Sequence, residues 1–132
     1  MFLLDTNICI YTINKNPQKI LKKIKSLSPF EIKISSVTVA EMEYGASKSL
    51  YREKNRSALK RFLSSFEVIN FDTVDAEIYG IIRAGLERKG IIIGSYDLQL
   101  AAQALRWDCI FVTNNIRKFI RINGLKLENW TL

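Results

Sequence analysis

A chain of 132 residues with 20 Lys and Arg, 13 Asp and Glu, a formal net charge of +7 and no histidine is long enough to fold as one domain that buries roughly two-thirds of its unfolded surface. The missing histidine excludes Ser-His and Cys-His nucleophile arrangements and removes the commonest general base and transition-metal ligand. Its uninterrupted apolar runs, such as residues 1–4 and 91–93, fall far short of the roughly 20 residues of a membrane span. Met1 leads straight into such a run with no basic segment before it, so a single domain over 1–132, cytoplasmic and free of membrane, is expected.

Residues 1–4 read as a buried strand and 8–13 as a first helix; a second helix covers 17–27, with Pro17 near its start. Ile32–Ser35 reads as a strand, 38–50 and 52–65 as helices, and 68–71 as a returning strand. A long helix then runs to Lys89, with Ala76, Ile78, Ile81, Ile82 and Leu86 as its apolar face and Gly90 as its stop. Ser95–Arg106 is a further helix, 109–112 a strand ending at Thr113-Asn114-Asn115, and a short basic helix and an edge strand over 126–129 close the chain. Strands alternating with helices favour a mostly parallel sheet covered on both faces. Cys9 and Cys109 stand among apolar neighbours and read as small buried hydrophobes.

Asp5, Glu41 and Asp97 each stand where an apolar run hands over to a helix. In open parallel sheets that address is the carboxyl edge, where ligands bind. Each acid also has a capping reading: Asp5 before the helix at Asn7, Glu41 completing Thr38-Val39-Ala40-Glu41, and Asp97 after Ser95. Three acids converging on one edge are better explained by a shared cation, because unneutralised carboxylates repel and a divalent ion reverses that cost. An all-oxygen donor set suits Mg2+ or Mn2+, and such an ion activates water against a phosphodiester without histidine. Asn115, with Asn114 and Thr113 beside it, offers neutral oxygens at the end of a further strand; a plain turn is the competing reading.

A basic exterior around an acidic pocket favours polyanions as partners. Lys15, Lys19, Lys22, Lys23 and Lys25 alternate with Ile20, Ile24 and Leu27 at helical spacing, which describes either a phosphate-binding face or a solvated one. Lys22, Lys23 and Arg117 are the candidate RNA contacts, with Lys60, Arg61, Lys118 and Arg121 as further rim cations. Two other classes compete with a nuclease. An aspartyl-phosphate phosphotransferase or phosphatase would use Asp5 as nucleophile, although Asn7 stands where such enzymes carry a second Asp. A non-catalytic RNA-binding module would use the lysine helix alone.

The segments MFLLDTNICIYTI, ISSVTVAEMEYGASKS, GSYDLQLAAQAL and FVTNNIRKFIRINGLKLENW resemble, in order and spacing, the PIN-domain ribonuclease toxins of the VapC type, from type II toxin-antitoxin systems. The likeness covers nearly the whole chain. It implies a PIN-like three-layer α/β/α sandwich with a mostly parallel sheet, and Mg2+- or Mn2+-dependent endonucleolytic cleavage of RNA, often tRNA. It makes Asp5 and Asp97 the principal metal ligands and Glu41 the third acid, while Glu43, about 200 degrees further around the helix, falls outside the pocket. Many members carry a fourth acid where this chain has Thr113-Asn114-Asn115, a departure that removes one carboxylate from any second cation site. The resemblance also implies a VapB-type antitoxin that inserts a segment into the crevice, a toxin homodimer, and operator DNA bound only through the antitoxin.

Overall fold

Leu3 and Leu4 are adjacent, and both have no exposed surface. Successive residues of a strand point to opposite faces, so this is possible only if helices cover both sides of strand β1 (Phe2–Leu4). Leu3 enters one core and Leu4 the other. Strand β4 (Ile110–Val112) repeats the arrangement with Phe111 and Val112. The computed structural model describes all 132 residues, Met1–Leu132. The remaining strands are β2 (Ile32–Ser35), β3 (Glu67–Ile69) and β5 (Leu127–Glu128), and the five form one sheet in the order β3-β2-β1-β4-β5. Every neighbouring pair is parallel, so the sheet is parallel throughout.

Helices α1 (Thr6–Ile13), α2 (Gln18–Lys25), α3 (Ser36–Lys48) and α4 (Arg52–Leu63) supply the core that holds Leu4, Ile34 and Val112. Helices α5 (Thr73–Arg88), α6 (Ser95–Arg106) and α7 (Ile116–Phe119) supply the one that holds Leu3 and Phe111. The result is a three-layer α/β/α sandwich. Cys9 and Cys109 are free and buried in opposite cores.

Two expectations shift in register. Helix α3 begins at Ser36, earlier than expected, because Ser35 at the end of β2 is its cap and accepts from the Val37 N–H at 3.0 Å. Thr38 is therefore buried inside the helix, the Thr38–Glu41 pair is no capping box, and Glu41 lies in the second turn. On α5 the inward stripe is Asp75, Tyr79, Ile82 and Leu86, spaced as 3.6 residues per turn demands, while Ile81 is 68% exposed. Residues 91–93 alternate like a strand, with Ile93 buried and Ile92 exposed, yet join no ladder because β4 takes the place beside β1. They follow a helix stop at Gly90, whose φ of 74° lets the Ile91 N–H return to the Leu86 carbonyl at 2.9 Å.

The chain lays β2 and β3 on one side of β1, crosses the opposite face through α5 and α6, and sets β4 on the other side. The strand order thus reverses between β1 and β4, and a crevice opens beyond their carboxyl ends. Asp5 and Thr113 are the first residues past those ends.

Candidate active site

Asp5 caps α1 and is only 6% exposed. Its Oδ1 accepts from the Thr6 N–H at 2.8 Å, and its Oδ2 accepts from the Thr113 hydroxyl at 2.9 Å. Both carboxylate oxygens are therefore oriented, one by its own helix and one by the neighbouring strand. Burial pushes the Asp5 carboxyl above its ordinary value; the two hydrogen bonds pull it back, and the nearby charges of Asp97 and Glu41 push it up again. The capping role and the site position therefore coexist in one residue.

Glu41 reaches this network through Thr6. The Thr6 hydroxyl donates to Glu41 Oε1 at 2.9 Å and lies 3.0 Å from the Thr38 hydroxyl. Since the single Thr6 hydroxyl proton goes to the carboxylate, Thr38 must be the donor to Thr6. Glu43, on the other side of α3, faces Arg56 at 3.6 Å. Asp97 stands in the first turn of α6, whose N-cap is Gly94 with no side-chain cap, so Ser95 does not close that end. Its Oδ2 receives the Lys118 ammonium at 2.8 Å, with the two side chains 29% and 34% exposed.

A continuous hydrogen-bonded path then joins the far ends. Thr113, fully buried, accepts the Asn115 N–H at 3.0 Å while donating to Asp5. Asn115 Oδ1 caps α7 by accepting the Lys118 N–H at 3.2 Å. Asn115 is thus a cap and turn residue, and Asn114 faces outward and donates to the Tyr11 hydroxyl at 3.1 Å. Sequence reasoning overlooked Thr6 and Thr38, and placed Lys118 only among rim cations. The readable signal for Thr6 was its place directly after the strand-end acid; no comparable signal marked Thr38 as more than a cap.

The three acids share this network without forming a ready cage. No group of three His, Cys, Asp or Glu side chains stands close enough to hold an ion as arranged. Each carboxylate has its own donor, and mutual repulsion favours that separation. The donor chemistry nevertheless fits a hard divalent ion: all donors are oxygen, and the buried, repelled Asp5 carboxylate is the kind of group whose cost such an ion reverses.

Two grooves meet at Glu41. One cavity of about 630 Å3 is bordered by Ser36, Glu41, Tyr44, Tyr96 and Gln99. The other, of about 230 Å3, runs between α1, α3 and α4 and carries Ile10, Ile13, Met42 and Leu59. Lys22 and Lys23 border neither; the Lys23 ammonium lies 5.8 Å from the Trp130 ring centre. Arg117 is exposed on α7, Lys60 and Arg61 are exposed in the last turn of α4, and Arg121 Nε donates to the Lys118 carbonyl at 3.1 Å.

The PIN domain family matches residues 2–125 of the chain. Ribonuclease VapC2 of Rickettsia felis is 46% identical over 131 residues, covering 98% of each chain. The tRNA(fMet)-specific endonuclease VapC of Salmonella typhimurium is 43% identical over 129 residues, covering 98% of this chain and 97% of that one. Among solved structures, VapBC2 from Rickettsia felis bound to a promoter DNA fragment superposes with a TM-score of 0.91 at 45% identity, over 98% of each chain. DNA-bound VapBC from Salmonella typhimurium gives 0.92 at 43% identity, over 98% of this chain and 97% of that one. With this fold, this edge of acids and these relatives together, the chain belongs to the PIN-domain family and, within it, to the VapC ribonuclease toxins of toxin-antitoxin systems.

Proposed function

We propose that the Asp5–Glu41–Asp97 edge is the catalytic centre of a divalent-metal-dependent endoribonuclease whose substrate is tRNA. The observation that carries this reading is the single hydrogen-bonded network that ties Glu41, Asp5 and Asp97 across four elements at the switch point of the sheet. Asp5 and Asp97 are the metal ligands in this reading and Glu41 is the third acid. Mg2+, or Mn2+ in its place, would supply acidification of an attacking water and neutralise charge at the departing oxygen. The protein's own part is positional. Thr6 and Thr113 aim the Asp5 oxygens, Thr6 holds Glu41 toward the same edge, and the burial of Asp5 keeps its charge in a low dielectric, where it acts strongly.

Substrate and partners follow from the relatives and from surface chemistry. A 43% identical relative is named for tRNA(fMet), and a net charge of +7 around an acidic edge suits a folded polyanion. A VapB-type antitoxin is the partner, for which the apolar groove of Ile10, Ile13, Met42 and Leu59 beside Glu41 supplies a seat. The toxin is a homodimer in this reading, and operator DNA is engaged only through the antitoxin; two relatives are known as DNA-bound VapBC complexes. No helix is long and apolar enough to cross a membrane.

The test is incubation of the purified chain with a tRNA pool under Mg2+, Mn2+ or chelator, with the cut ends mapped. Cleavage that needs metal, leaves 5′-phosphate and 3′-hydroxyl ends, and disappears in Asp5→Asn and in Asp97→Asn is expected. Cyclic phosphate ends, or full activity in EDTA, would overturn the water-attack scheme.

A further inference from the structure

Among Asp5, Glu41 and Asp97, only Asp97 is paired with a cation, and that cation is Lys118. The pairing is local and deliberate in its geometry. Lys118 sits in the third position of the four-residue helix α7, whose first turn is anchored to Asp5 through Asn115 and Thr113 by bonds of 3.2, 3.0 and 2.9 Å. Its main chain is thereby fixed with respect to the site, and Arg121 Nε holds its carbonyl at 3.1 Å. The ammonium, in contrast, ends a flexible four-carbon stem and makes one bond, to Asp97 Oδ2 at 2.8 Å. Lys118 is in turn the only side chain that hydrogen-bonds the Asp97 carboxylate. A divalent ion at Asp97 would set a +2 charge beside this ammonium, and the repulsion between them weakens the hold of each on the carboxylate they share.

We propose that Lys118 is the resident cation of the site, holding Asp97 until a divalent ion displaces it and then binding a phosphate of the RNA substrate. This rests on the metal-dependent reading of Asp97 given above. It makes metal affinity a balance between a +2 ion and an internal +1 competitor, and it turns the competitor into a substrate ligand at the moment the site is loaded. A 34% exposed lysine on a rim element can make that move without refolding anything, since only side-chain torsions change.

The experiment is a Mn2+ titration of the full-length, EDTA-stripped protein, read by the electron paramagnetic resonance of free Mn2+, on the wild type, Lys118→Met and Lys118→Arg. Circular dichroism establishes that each variant is folded. Lys118→Met, which keeps the stem and loses the charge, should bind Mn2+ about three- to tenfold more tightly. Lys118→Arg should stay within about twofold of the wild type. At saturating Mn2+, the KM of Lys118→Met for tRNA should rise about fivefold or more, and Lys118→Arg should restore most of it. Equal or weaker Mn2+ binding in Lys118→Met overturns the competition, and an unchanged KM overturns the phosphate role. Loss of Mn2+ binding in all three folded proteins overturns the metal reading itself, and this proposal with it.

Discussion

Replacing Thr113 with Val keeps the shape of a fully buried side chain and removes one oxygen. That oxygen makes two bonds, donating to Asp5 Oδ2 at 2.9 Å and accepting from the Asn115 N–H at 3.0 Å. The first is a hydrogen bond to a charged group, worth about 1.5–3 kcal/mol. The second involves an N–H at an exposed residue that water can reach, so its loss costs about 0.5–1 kcal/mol. Burying a methyl in place of a hydroxyl returns about 1 kcal/mol. The net expectation is destabilisation by about 1–3 kcal/mol, or a Tm lower by about 3–12 °C for a domain of this size. Loss of the Thr113 bond also removes the largest influence that lowers the Asp5 carboxyl, which should move further up. The pH at which cleavage reaches half its plateau should therefore rise. Urea unfolding at pH 7, together with a pH–rate profile at saturating Mn2+, reads both effects. A Thr113→Val protein within about 0.5 kcal/mol of the wild type, with an unmoved profile, would refute the assignment of Thr113 as the residue that positions Asp5.

Glu41→Gln should reduce cleavage at least tenfold, whereas Glu43→Gln, two positions along α3 and facing Arg56, should leave it within about twofold; single-turnover rates on one tRNA separate the two. Phe111 is fully buried and meets the Phe119 ring at 4.8 Å between centres, so Phe111→Ala should cost about 3–5 kcal/mol in urea unfolding. The Asp72 carboxyl is held below its ordinary 3.8 by the Arg106 side chain. A lowered carboxyl contributes stability that is present above the unfolded value and is lost as pH falls through the folded one. Acid unfolding below about pH 4 should thus become shallower in Asp72→Asn, and identical acid limbs for the two proteins would contradict the pairing.

Much of the architecture was legible because periodicity reports burial. Strands with apolar residues on both faces, such as Phe2–Leu4 and Ile110–Val112, require cover on both sides, and that requirement already implies a parallel sheet between helical layers. The errors arose where tertiary competition overrides a local signal. Ser35 and Thr38 are both adequate caps, and the end of β2 at Ser35 decides between them. On α5, Ile81 is more apolar than Tyr79, yet the contact with α6 selects the stripe containing Tyr79 and the buried Asp75, which Arg106 reaches from α6 at 3.3 Å.

The acidic edge divides in the same way. Composition and spacing alone establish that chemistry here must do without histidine, that carboxylates stand at three handovers from apolar run to helix, and that the surface is basic. These are properties of residue type and chain order, which the sequence holds completely. Which hydroxyl orients which oxygen, that Asn115 caps a helix, and that Asp97 already has a cation in Lys118 were decided only when segments up to 108 positions apart were brought within hydrogen-bonding distance. Hydrogen bonds depend on angles and tenths of an ångström. Those quantities exist only once the sheet order has set β4 against β1.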